Sequence, residues 1–246
     1  MLIPASDRHY LDVLTQLHGR TFDRYLEIGS RSGRSLALSR SPSIAIDPYF
    51  DLRRDVVGIK TQVHLFQCSS DDFFKHNEAL LAQTSIDFCF VDGMHLFEFA
   101  LRDTANVARF AARKSLILLH DILPGTFAMA TRDHQKVASG APWTGDIWKL
   151  IPILSRFMPQ QDLVIVPSRP TGLLAIFNVP IDLADRLVEA EQGLFEEWEA
   201  VELASYGPEA LRSPGLVPNS LILDKNSVLS RRPRFFSCAR HDFCWL

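Results

Sequence analysis

Short apolar runs that alternate with stretches of helical periodicity constrain the fold of this chain most strongly. Helical patterns fall between most of the runs, as at 71–83 and 96–112. Strands that alternate with helices form a parallel sheet with right-handed crossovers, so the pattern predicts an α/β fold. Two further apolar runs lie a short loop apart, which predicts a hairpin with antiparallel pairing at one edge. The parallel strands are predicted at 24–28, 43–47, 63–66, 86–92 and 115–120, and the hairpin strands at 163–166 and 172–179.

Length and charge narrow the class of protein. The chain has 246 residues, which suits one large α/β domain and is short for two. A net charge of −3 gives no basic stripe for nucleic acid, and the short basic run at 231–234 is typical of a solvated tail. No apolar stretch approaches the ~20 residues of a membrane span, no signal peptide is visible, and the four cysteines form no disulfide framework. We therefore expect a cytoplasmic protein without nucleic-acid or membrane partners.

The remaining segments flank this core. A helix is predicted at 6–18, with Ser6 as its N-cap and Gly19 as its stop. A charged amphipathic helix is predicted at 182–204. We expect one domain over 1–180, with its core at about 20–180, and a C-terminal helix and tail over 181–246 that pack on the domain or on a partner subunit of a homo-oligomer.

The glycine loop after the first strand is the first candidate ligand site, because open parallel sheets bind ligands beyond the carboxyl ends of their strands. Gly29 permits a positive φ and a close approach of the backbone, and Gly33 lets the next helix pack near the strand. Backbone N–H groups near Ser30 could hold the carboxylate of an amino-acid ligand. Glu27 could receive its ammonium group, directly or through water. A purely structural role of both glycines is the alternative, and the loop lacks the lysine of a phosphate-binding loop.

Carboxylates at the next two strand ends indicate an adenosine-type ligand. Asp47 closes the second strand, where a carboxylate can accept hydrogen bonds from both hydroxyls of a ribose. Ser70 and Asp71 follow the third strand, and an aspartate beside backbone N–H groups can read the edge of an adenine. Capping of a helix that begins at Asp72 is an equally good interpretation of this turn.

A set of motifs follows the strands in a fixed order. They are Glu-x-Gly-x-x-x-Gly at 27–33, Asp47, Ser-Asp at 70–71, Val-Asp-Gly-x-His-x-Phe-Glu at 91–98, Leu-His-Asp at 119–121 and Gly-Asp-Ile-Trp-Lys at 145–149. The order of these motifs resembles the class I S-adenosylmethionine (SAM)-dependent methyltransferases. The closest subgroup carries VDGxHxYE and HD motifs at strand ends, and the macrocin O-methyltransferase and cephalosporin-hydroxylase group is more distantly similar. The resemblance covers about residues 20–180, with Phe97 in place of the usual tyrosine and a bulkier loop at 30–32.

The resemblance implies a Rossmann-like, seven-stranded methyltransferase sheet with helices on both faces. It implies SAM as the cofactor, held in part by Asp92, and methyl transfer to a small-molecule acceptor, above all to a hydroxyl oxygen. In the metal-dependent catechol-type relatives, the strand-four aspartate is a Mg²⁺ ligand and the residue three positions later is a catalytic lysine. Those positions are Asp92 and His95 here. A histidine suits proton transfer near neutrality, although His95 could instead be a helix N-terminal residue bonded to Asp92 or Asp121.

The resemblance also implies a divalent ion, magnesium or manganese. Two further ligands of the metal-dependent relatives match His120 and Asp121. Magnesium prefers all-oxygen shells, so a site of Asp92, His120 and Asp121 would suit Mn²⁺, Fe²⁺ or Zn²⁺ better. Alternatively, His120 orients Asp121 or the substrate and no metal binds. The cysteines at 238 and 244, with a histidine between them, supply too few ligands to predict a zinc site.

The long connection at 122–145 is typical of a lid over an active site. Arg132, His134 and Trp143 could shape the acceptor pocket or simply pack on the surface. Methylation at nitrogen or carbon, or of a macromolecule, is an alternative function. N-methylating enzymes usually carry Asn/Asp-Pro-Pro-Tyr/Phe where residues 92–95 read Asp-Gly-Met-His. A further alternative is a SAM-fold protein with a hydroxylase-like or binding role. The GxGxxG loop of NAD-dependent dehydrogenases is missing.

Overall fold

The sheet has seven strands in the order β3-β2-β1-β4-β5-β7-β6 in this computed structural model, which describes residue 2 and residues 8–212. The first five strands of the chain run parallel, and β7 lies antiparallel between β5 and β6. This confirms the expected mostly parallel sheet with an antiparallel hairpin at one edge. The strands are β1 (Tyr25–Ile28), β2 (Ser43–Ile46), β3 (Val63–Phe66), β4 (Ile86–Val91), β5 (Ala111–His120), β6 (Leu163–Val166) and β7 (Leu173–Phe177).

The carboxyl ends of the parallel strands are aligned across the sheet. Ile28 pairs with Ile46 on one side and with Val91 on the other, and Val91 pairs with Leu119. The backbone bonds continue beyond the strands, because the N–H of Gly29 donates to the carbonyl of Ile46 at 2.8 Å. The register therefore brings the residues that come after each strand to one edge.

Helices cover both faces of the sheet, as the resemblance implied. Side chains alternate along each strand, so that Leu26 and Ile28 join one apolar cluster and Tyr25 joins the other. The helices are α1 (Tyr10–Leu17), α2 (Ser70–His76), α3 (Glu78–Leu81), α4 (Phe97–Phe110), α5 (Leu150–Leu154), α6 (Leu183–Trp198) and α7 (Leu203–Tyr206). The first cluster includes the buried faces of α2, α4, α5 and α6, and the second includes the buried face of α1.

The first helix begins later than predicted. Its N-cap is His9 and not Ser6. The His9 ring accepts a hydrogen bond from the N–H of Leu11, and the Asp12 carboxylate accepts one from the N–H of His9, both at 3.2 Å. This reciprocal pair satisfies free backbone donors of the first turn. Histidine is outside the usual set of capping residues, which is why the sequence pattern missed it.

Two predicted helices are interrupted. The segment 71–83 divides into α2 and α3 at Asn77, whose side chain donates to the carbonyl of Phe73 at 3.0 Å and competes with the helical bonds. The predicted helix at 182–204 ends at Trp198, and α7 follows as a separate turn. The helix α6 packs against α4, where the rings of Phe97 and Phe195 stack 6.2 Å apart.

None of the helices in the described part of the chain has the length and apolarity that crossing a bilayer requires. The predictions for the basic run at 231–234, for Cys238 and Cys244 and for the packing of the tail concern residues outside the described part.

Candidate cofactor and catalytic site

A cavity of about 800 Å³ opens at the carboxyl ends of the parallel strands. Its volume falls within the range of small-molecule sites, which is about 300–1,000 Å³. Glu27 and Gly33 do not line it. The residues predicted for the site that do line it are Gly29, Ser30, Asp47, Ser70, Asp71, Asp92, His95, His120 and Asp121.

The glycines of the first loop are required by close contacts within the protein. Gly29 has a φ of +86°, and a Cβ on it would lie 1.9 Å from the backbone oxygen of Asp92. Gly33 has a φ of +73°, and a Cβ there would lie 2.6 Å from Val56. The loop can therefore take this path only with glycine at both positions.

Glu27 lies beneath the loop and is fully buried. Its carboxylate accepts hydrogen bonds from the Tyr25 hydroxyl at 2.5 Å and the Ser35 hydroxyl at 2.8 Å. Burial raises the pKa of Glu27 to about 7, although these bonds act in the opposite direction. In this geometry the carboxylate supports the loop from below, and any contact with a ligand in the cavity would be indirect.

Asp47 faces the cavity with both carboxylate oxygens held in place. One oxygen accepts from the N–H of Arg31 and the other from the N–H of Tyr49, each at 2.7 Å. A carboxylate offers about four lone-pair sites, so each oxygen can accept a further bond from a ligand. The arrangement gives a fixed acceptor pair at the end of β2.

The turn after β3 differs from the prediction in one respect. Ser69 caps α2, since its hydroxyl accepts from the N–H of Asp72 at 3.1 Å. Asp71 lines the cavity, but its carboxylate is paired with Arg102 at 3.0 Å and its side chain is 46% exposed.

A second acid in this wall, Asp103, was not predicted. It projects from α4, is only 2% exposed and lines the cavity near Ser70. Burial raises the pKa of Asp103 to about 7. The signal in the sequence is an acid on the apolar face of a helix, next to Ala100 and Val107, a position that normally holds a hydrophobic residue.

Two carboxylates and two imidazoles meet at the ends of β4 and β5. Nε2 of His95 lies 3.1 Å from Oδ2 of Asp121 and 3.7 Å from Oδ1 of Asp92. Nδ1 of His120 lies 3.0 Å from Oδ1 of Asp92 and 3.3 Å from Oδ2 of Asp121. The predicted catalytic residues are thus within contact distance of one another.

Mutual attraction outweighs burial in this cluster. Burial acts to lower the pKa of both imidazoles, but the neighbouring carboxylates raise the pKa of His95 and hold that of His120 well above its ordinary value. Burial also acts to raise the pKa of Asp92, and the charge of His120 outweighs it, so this pKa is lowered. The neighbouring opposite charges therefore favour the charged forms of Asp92, His95 and His120.

One group of residues at the strand ends has the geometry to hold a metal ion. Asp92, His95 and Asp121 each offer one ligand atom, and these atoms lie within 4.8 Å of one another. His120, the third residue of the predicted set, lies between the two carboxylates, with Nδ1 at 3.0 Å from Asp92 and 3.3 Å from Asp121. Two carboxylates and an imidazole fit a divalent ion with mixed oxygen and nitrogen preference, such as Mn²⁺, better than Mg²⁺.

The predicted lid contributes one of its three named residues to the cavity lining. Trp143 lines the cavity, and its backbone oxygen lies 2.8 Å from Nδ1 of His95. The ring of His134 packs on Trp143 at 5.7 Å. Arg132 instead pairs with Glu98 at 2.6 Å and Asp146 at 2.7 Å, outside the lining.

Tyr10 is a further lining residue that the sequence did not mark as functional. Its backbone N–H donates to the carbonyl of Arg169 at 2.9 Å, which holds the start of α1 over the end of the sheet. Its ring lies 4.3 Å from that of His120. The sequence showed only an apolar helix face at this position, so the wall formed by α1 was not predicted.

Residues 26–122 match the model of a family described as a methyltransferase domain. The matched segment includes all five parallel strand ends and the carboxylate–imidazole cluster. No curated protein matches the chain.

The solved structures to which this chain is similar include O-methyltransferases. TomG of Streptomyces achromogenes, in complex with SAM, is 15% identical over 69% of this chain and 78% of its own, with a TM-score of 0.49. An O-methyltransferase of Bacillus cereus in complex with S-adenosylhomocysteine (SAH) is 16% identical over 71% of this chain and 84% of its own, with a TM-score of 0.47. The mycinamycin-pathway methyltransferase MycE with Mg, SAH and mycinamycin VI is 14% identical over 70% and 48%, with a TM-score of 0.44.

The family match and the sheet agree with the resemblance found in the motifs. The match covers the segment in which the glycine loop, Asp47, Asp92 and the histidines occur. The seven strands have the parallel and antiparallel pairing that the resemblance implied. Residues 26–122 are therefore similar to a methyltransferase domain, and this segment carries the motifs of the resemblance.

Proposed function

We propose that this domain transfers the methyl group of SAM to a hydroxyl oxygen of a small-molecule acceptor, with His95 as the proton acceptor. The observation that carries the proposal is the place of His95 in the cavity wall, between a backbone carbonyl and the Asp92–Asp121 pair. A cavity of about 800 Å³ suits a small acceptor beside a cofactor.

The residues of the cavity fit SAM. Asp47 offers two acceptor oxygens to the ribose hydroxyls. The N–H groups of the loop at Ser30 and its neighbours suit the carboxylate of the methionine part. When bound, SAM supplies an activated methyl group, which forms a bond to the acceptor oxygen as its bond to sulfur breaks. The task of the protein is then to align the acceptor and remove its proton.

His95 suits proton removal because its tautomer is fixed. Nδ1 faces the carbonyl of Trp143 at 2.8 Å, so Nδ1 must carry a hydrogen. The raised pKa of His95 favours the charged ring, in which Nε2 donates to Asp121, so the ring accepts the acceptor's proton only after it has released the proton on Nε2. The lone pair is then on Nε2, on the side of Asp92 and Asp121. The hydroxyl proton passes to Nε2, and the imidazolium that forms is stabilised by Asp121 at 3.1 Å.

The same cluster also suits a divalent ion, which would change the role of His95. Asp92, His95 and Asp121 would hold the ion, and a bound ion would lower the pKa of an acceptor hydroxyl. His95 would then be a ligand and could not take the proton. Chelation distinguishes the two versions, because only the second needs a metal.

The location and the kind of partner are inferred from the cysteines and the net charge. Cys68 and Cys89 are free thiols, which is typical of a reducing cytoplasm. The net charge of −3 favours a small acceptor over nucleic acid.

The test is methyl transfer by the purified full-length chain. SAM with an isotopically labelled methyl group is incubated with the protein and a panel of catechols, phenols and hydroxylated sugars, and the products are identified by mass spectrometry. We expect labelled methyl on oxygen, together with S-adenosylhomocysteine (SAH). Label on nitrogen or carbon would overturn the O-methyl assignment, and failure to bind SAM or SAH in calorimetry would overturn the proposal as a whole.

A further inference from the structure

The turn between β6 and β7 packs against the segment that follows β5, where Asp121 lies. The backbone N–H of Leu123 donates to the carbonyl of Thr171 at 2.6 Å. Gly172 has a φ of +68°, and a Cβ on it would lie 2.7 Å from the side chain of Leu123. Thr171 and Asp121 are 50 residues apart in the chain, yet the turn lies against the strand end that carries the candidate catalytic acid.

The side chain of Thr171 completes the contacts of the Asp121 carboxylate. The Thr171 hydroxyl donates to Oδ1 of Asp121 at 2.5 Å, and the two residues are only 1% and 5% exposed. The other oxygen, Oδ2, lies 3.1 Å from Nε2 of His95 and 3.3 Å from Nδ1 of His120. The two oxygens of this carboxylate therefore have separate partners, since Oδ1 binds a hydroxyl and Oδ2 faces the imidazoles.

The backbone of Asp121 shows that its surroundings hold it in place. Asp121 has a φ of +58°, in the left-handed region that is unfavourable for residues other than glycine. Such a conformation persists where neighbouring contacts impose it, and it is found most often at functional sites. Thr171 supplies two contacts of this kind, through its hydroxyl to Asp121 and through its carbonyl to Leu123.

We propose that Thr171 is a positioning residue for methyl transfer, which fixes the Asp121 carboxylate so that Oδ2 faces His95. The inference rests on the proposed function, in which Asp121 stabilises the imidazolium of His95 or holds a divalent ion. Without the hydroxyl, the carboxylate could turn about its Cβ–Cγ bond, because such terminal torsions have broad energy wells. The contact between Oδ2 and His95 would then lose its geometry in either version of the site.

A neutral hydroxyl suits this task. It donates to Oδ1 without adding charge to the cluster of carboxylates and imidazoles, whereas a lysine or arginine at this place would compete with His95 for the negative charge of Asp121. If the bond served only to satisfy a buried carboxylate, its loss would lower the stability of the protein and leave the turnover of the folded protein unchanged. This difference separates a positioning role from a structural one.

The experiment measures kcat with an acceptor found by the methyl-transfer screen, and SAH affinity by calorimetry, in the full-length chain and its Thr171 variants. Thr171→Val removes the donor, and we expect kcat to fall at least about tenfold, because a small misplacement of a catalytic group is costly. SAH affinity should be unchanged. Thr171→Ser, which retains the hydroxyl, should restore most of kcat. Thr171→Cys, whose thiol donates weakly, should lie between the two, and it decides the question if the valine variant does not fold.

A second readout needs no acceptor. The ring ¹⁵N signals of His95, identified by their loss in His95→Gln, report on the proton at Nε2. At one fixed pH near neutrality, these signals should move in Thr171→Val and return to their wild-type positions in Thr171→Ser.

The control is Ser168→Ala. Ser168 lies in the same turn and is fully buried, and its hydroxyl has no partner among the described residues, so its removal should change neither kcat nor the His95 signals. Wild-type kcat and unchanged His95 signals in folded Thr171→Val would overturn the inference. An equal effect in Ser168→Ala would overturn it as well, since the effect would then belong to the turn as a whole. A wild-type chain that binds no SAH would instead contradict the proposed function, while the His95 signals would still report on Thr171.

Discussion

Nδ1 of His95 lies 2.8 Å from the backbone oxygen of Trp143. A carbonyl oxygen can only accept, so this contact places the ring hydrogen on Nδ1 and turns Nε2 toward the carboxylates. The connection at 122–145 thereby fixes the tautomer of a residue that belongs to a different part of the chain. His95, which lies just before α4, is held in the orientation that the proposed role of proton acceptor or metal ligand requires.

Replacement of His95 tests its role as the base. Because general-base catalysis contributes about 10²–10⁴-fold, His95→Ala should lower kcat by that factor. His95→Gln should fail as well, since an amide cannot take a proton. SAH affinity measured by calorimetry should be nearly unchanged. His76→Ala, at the exposed end of α2, is the control. Near-normal turnover in His95→Ala would leave the residue a structural role only.

Replacement of Gly145 tests whether the connection at 122–145 must approach His95 closely. A Cβ on Gly145 would lie 1.5 Å from the backbone oxygen of His95, whereas a Cβ on Gly140 would meet nothing within 4 Å. Both residues have positive φ, so each alanine variant carries a strain of about 1–2 kcal/mol. We expect the free energy of unfolding, measured with urea, to fall by more than this in Gly145→Ala, and turnover to be lost. In Gly140→Ala the free energy of unfolding should fall only by the amount of the strain. Equal losses in the two variants would mean that the contact is unimportant.

Chelation tests the metal version of the site. If Asp92, His95 and Asp121 hold a divalent ion, excess chelator should abolish turnover and Mn²⁺ should restore it, while SAH binding persists. Mn²⁺ titration followed by electron paramagnetic resonance gives a readout independent of activity, and Asp121→Asn should weaken the binding. Full activity in excess chelator would leave only the metal-free version.

His18 gives the fold a specific pH dependence. Burial, with the charges of Lys60 and Arg20, lowers the pKa of His18 to about 3, and neither ring nitrogen has a partner among the described residues. The unfolded chain takes up this proton near pH 6.5, so the contribution to stability is complete above that pH and is lost as the pH falls toward 3. At pH 5 the loss is about 2 kcal/mol.

The variant His18→Phe removes this titration and retains an aromatic ring among Phe22, Tyr25 and Phe88. Urea unfolding at pH 7, 6 and 5 should show the wild-type chain losing stability relative to the variant as the pH falls. Parallel curves for the two proteins would contradict the assignment.

Much of the sheet and of the polar edge could be predicted because both depend on local patterns. Apolar runs of a few residues gave strands whose ends agree with the structure within one or two residues at β1, β2 and β6. Since parallel strands end at a common edge, the meeting of Asp47, Asp92 and His120 followed from the order of the motifs.

The remaining features depend on contacts between distant segments. Asp103 reads as an ordinary helical residue until the fold turns that face of α4 toward the cavity. Tyr10 reaches the site only because α1 docks beside Arg169. His95 joins Asp92 and Asp121 in the group that could hold a metal ion because the loop before α4 brings Nε2 to within 3.1 Å of Asp121. Helix periodicity and motif spacing carry none of this information.

The central claim is that this cavity binds SAM through Asp47, and calorimetric titration of SAH into the wild-type chain and Asp47→Ala tests it most directly. Each lost contact leaves a ribose hydroxyl unpaired, which costs roughly 1–3 kcal/mol of binding free energy. The variant should therefore bind SAH at least about tenfold more weakly, with its fold intact. Asp51→Ala, at an exposed carboxylate paired with Arg53 outside the lining, should bind like wild type. Equal affinity of the wild-type chain and Asp47→Ala, or no binding to either, would contradict the account.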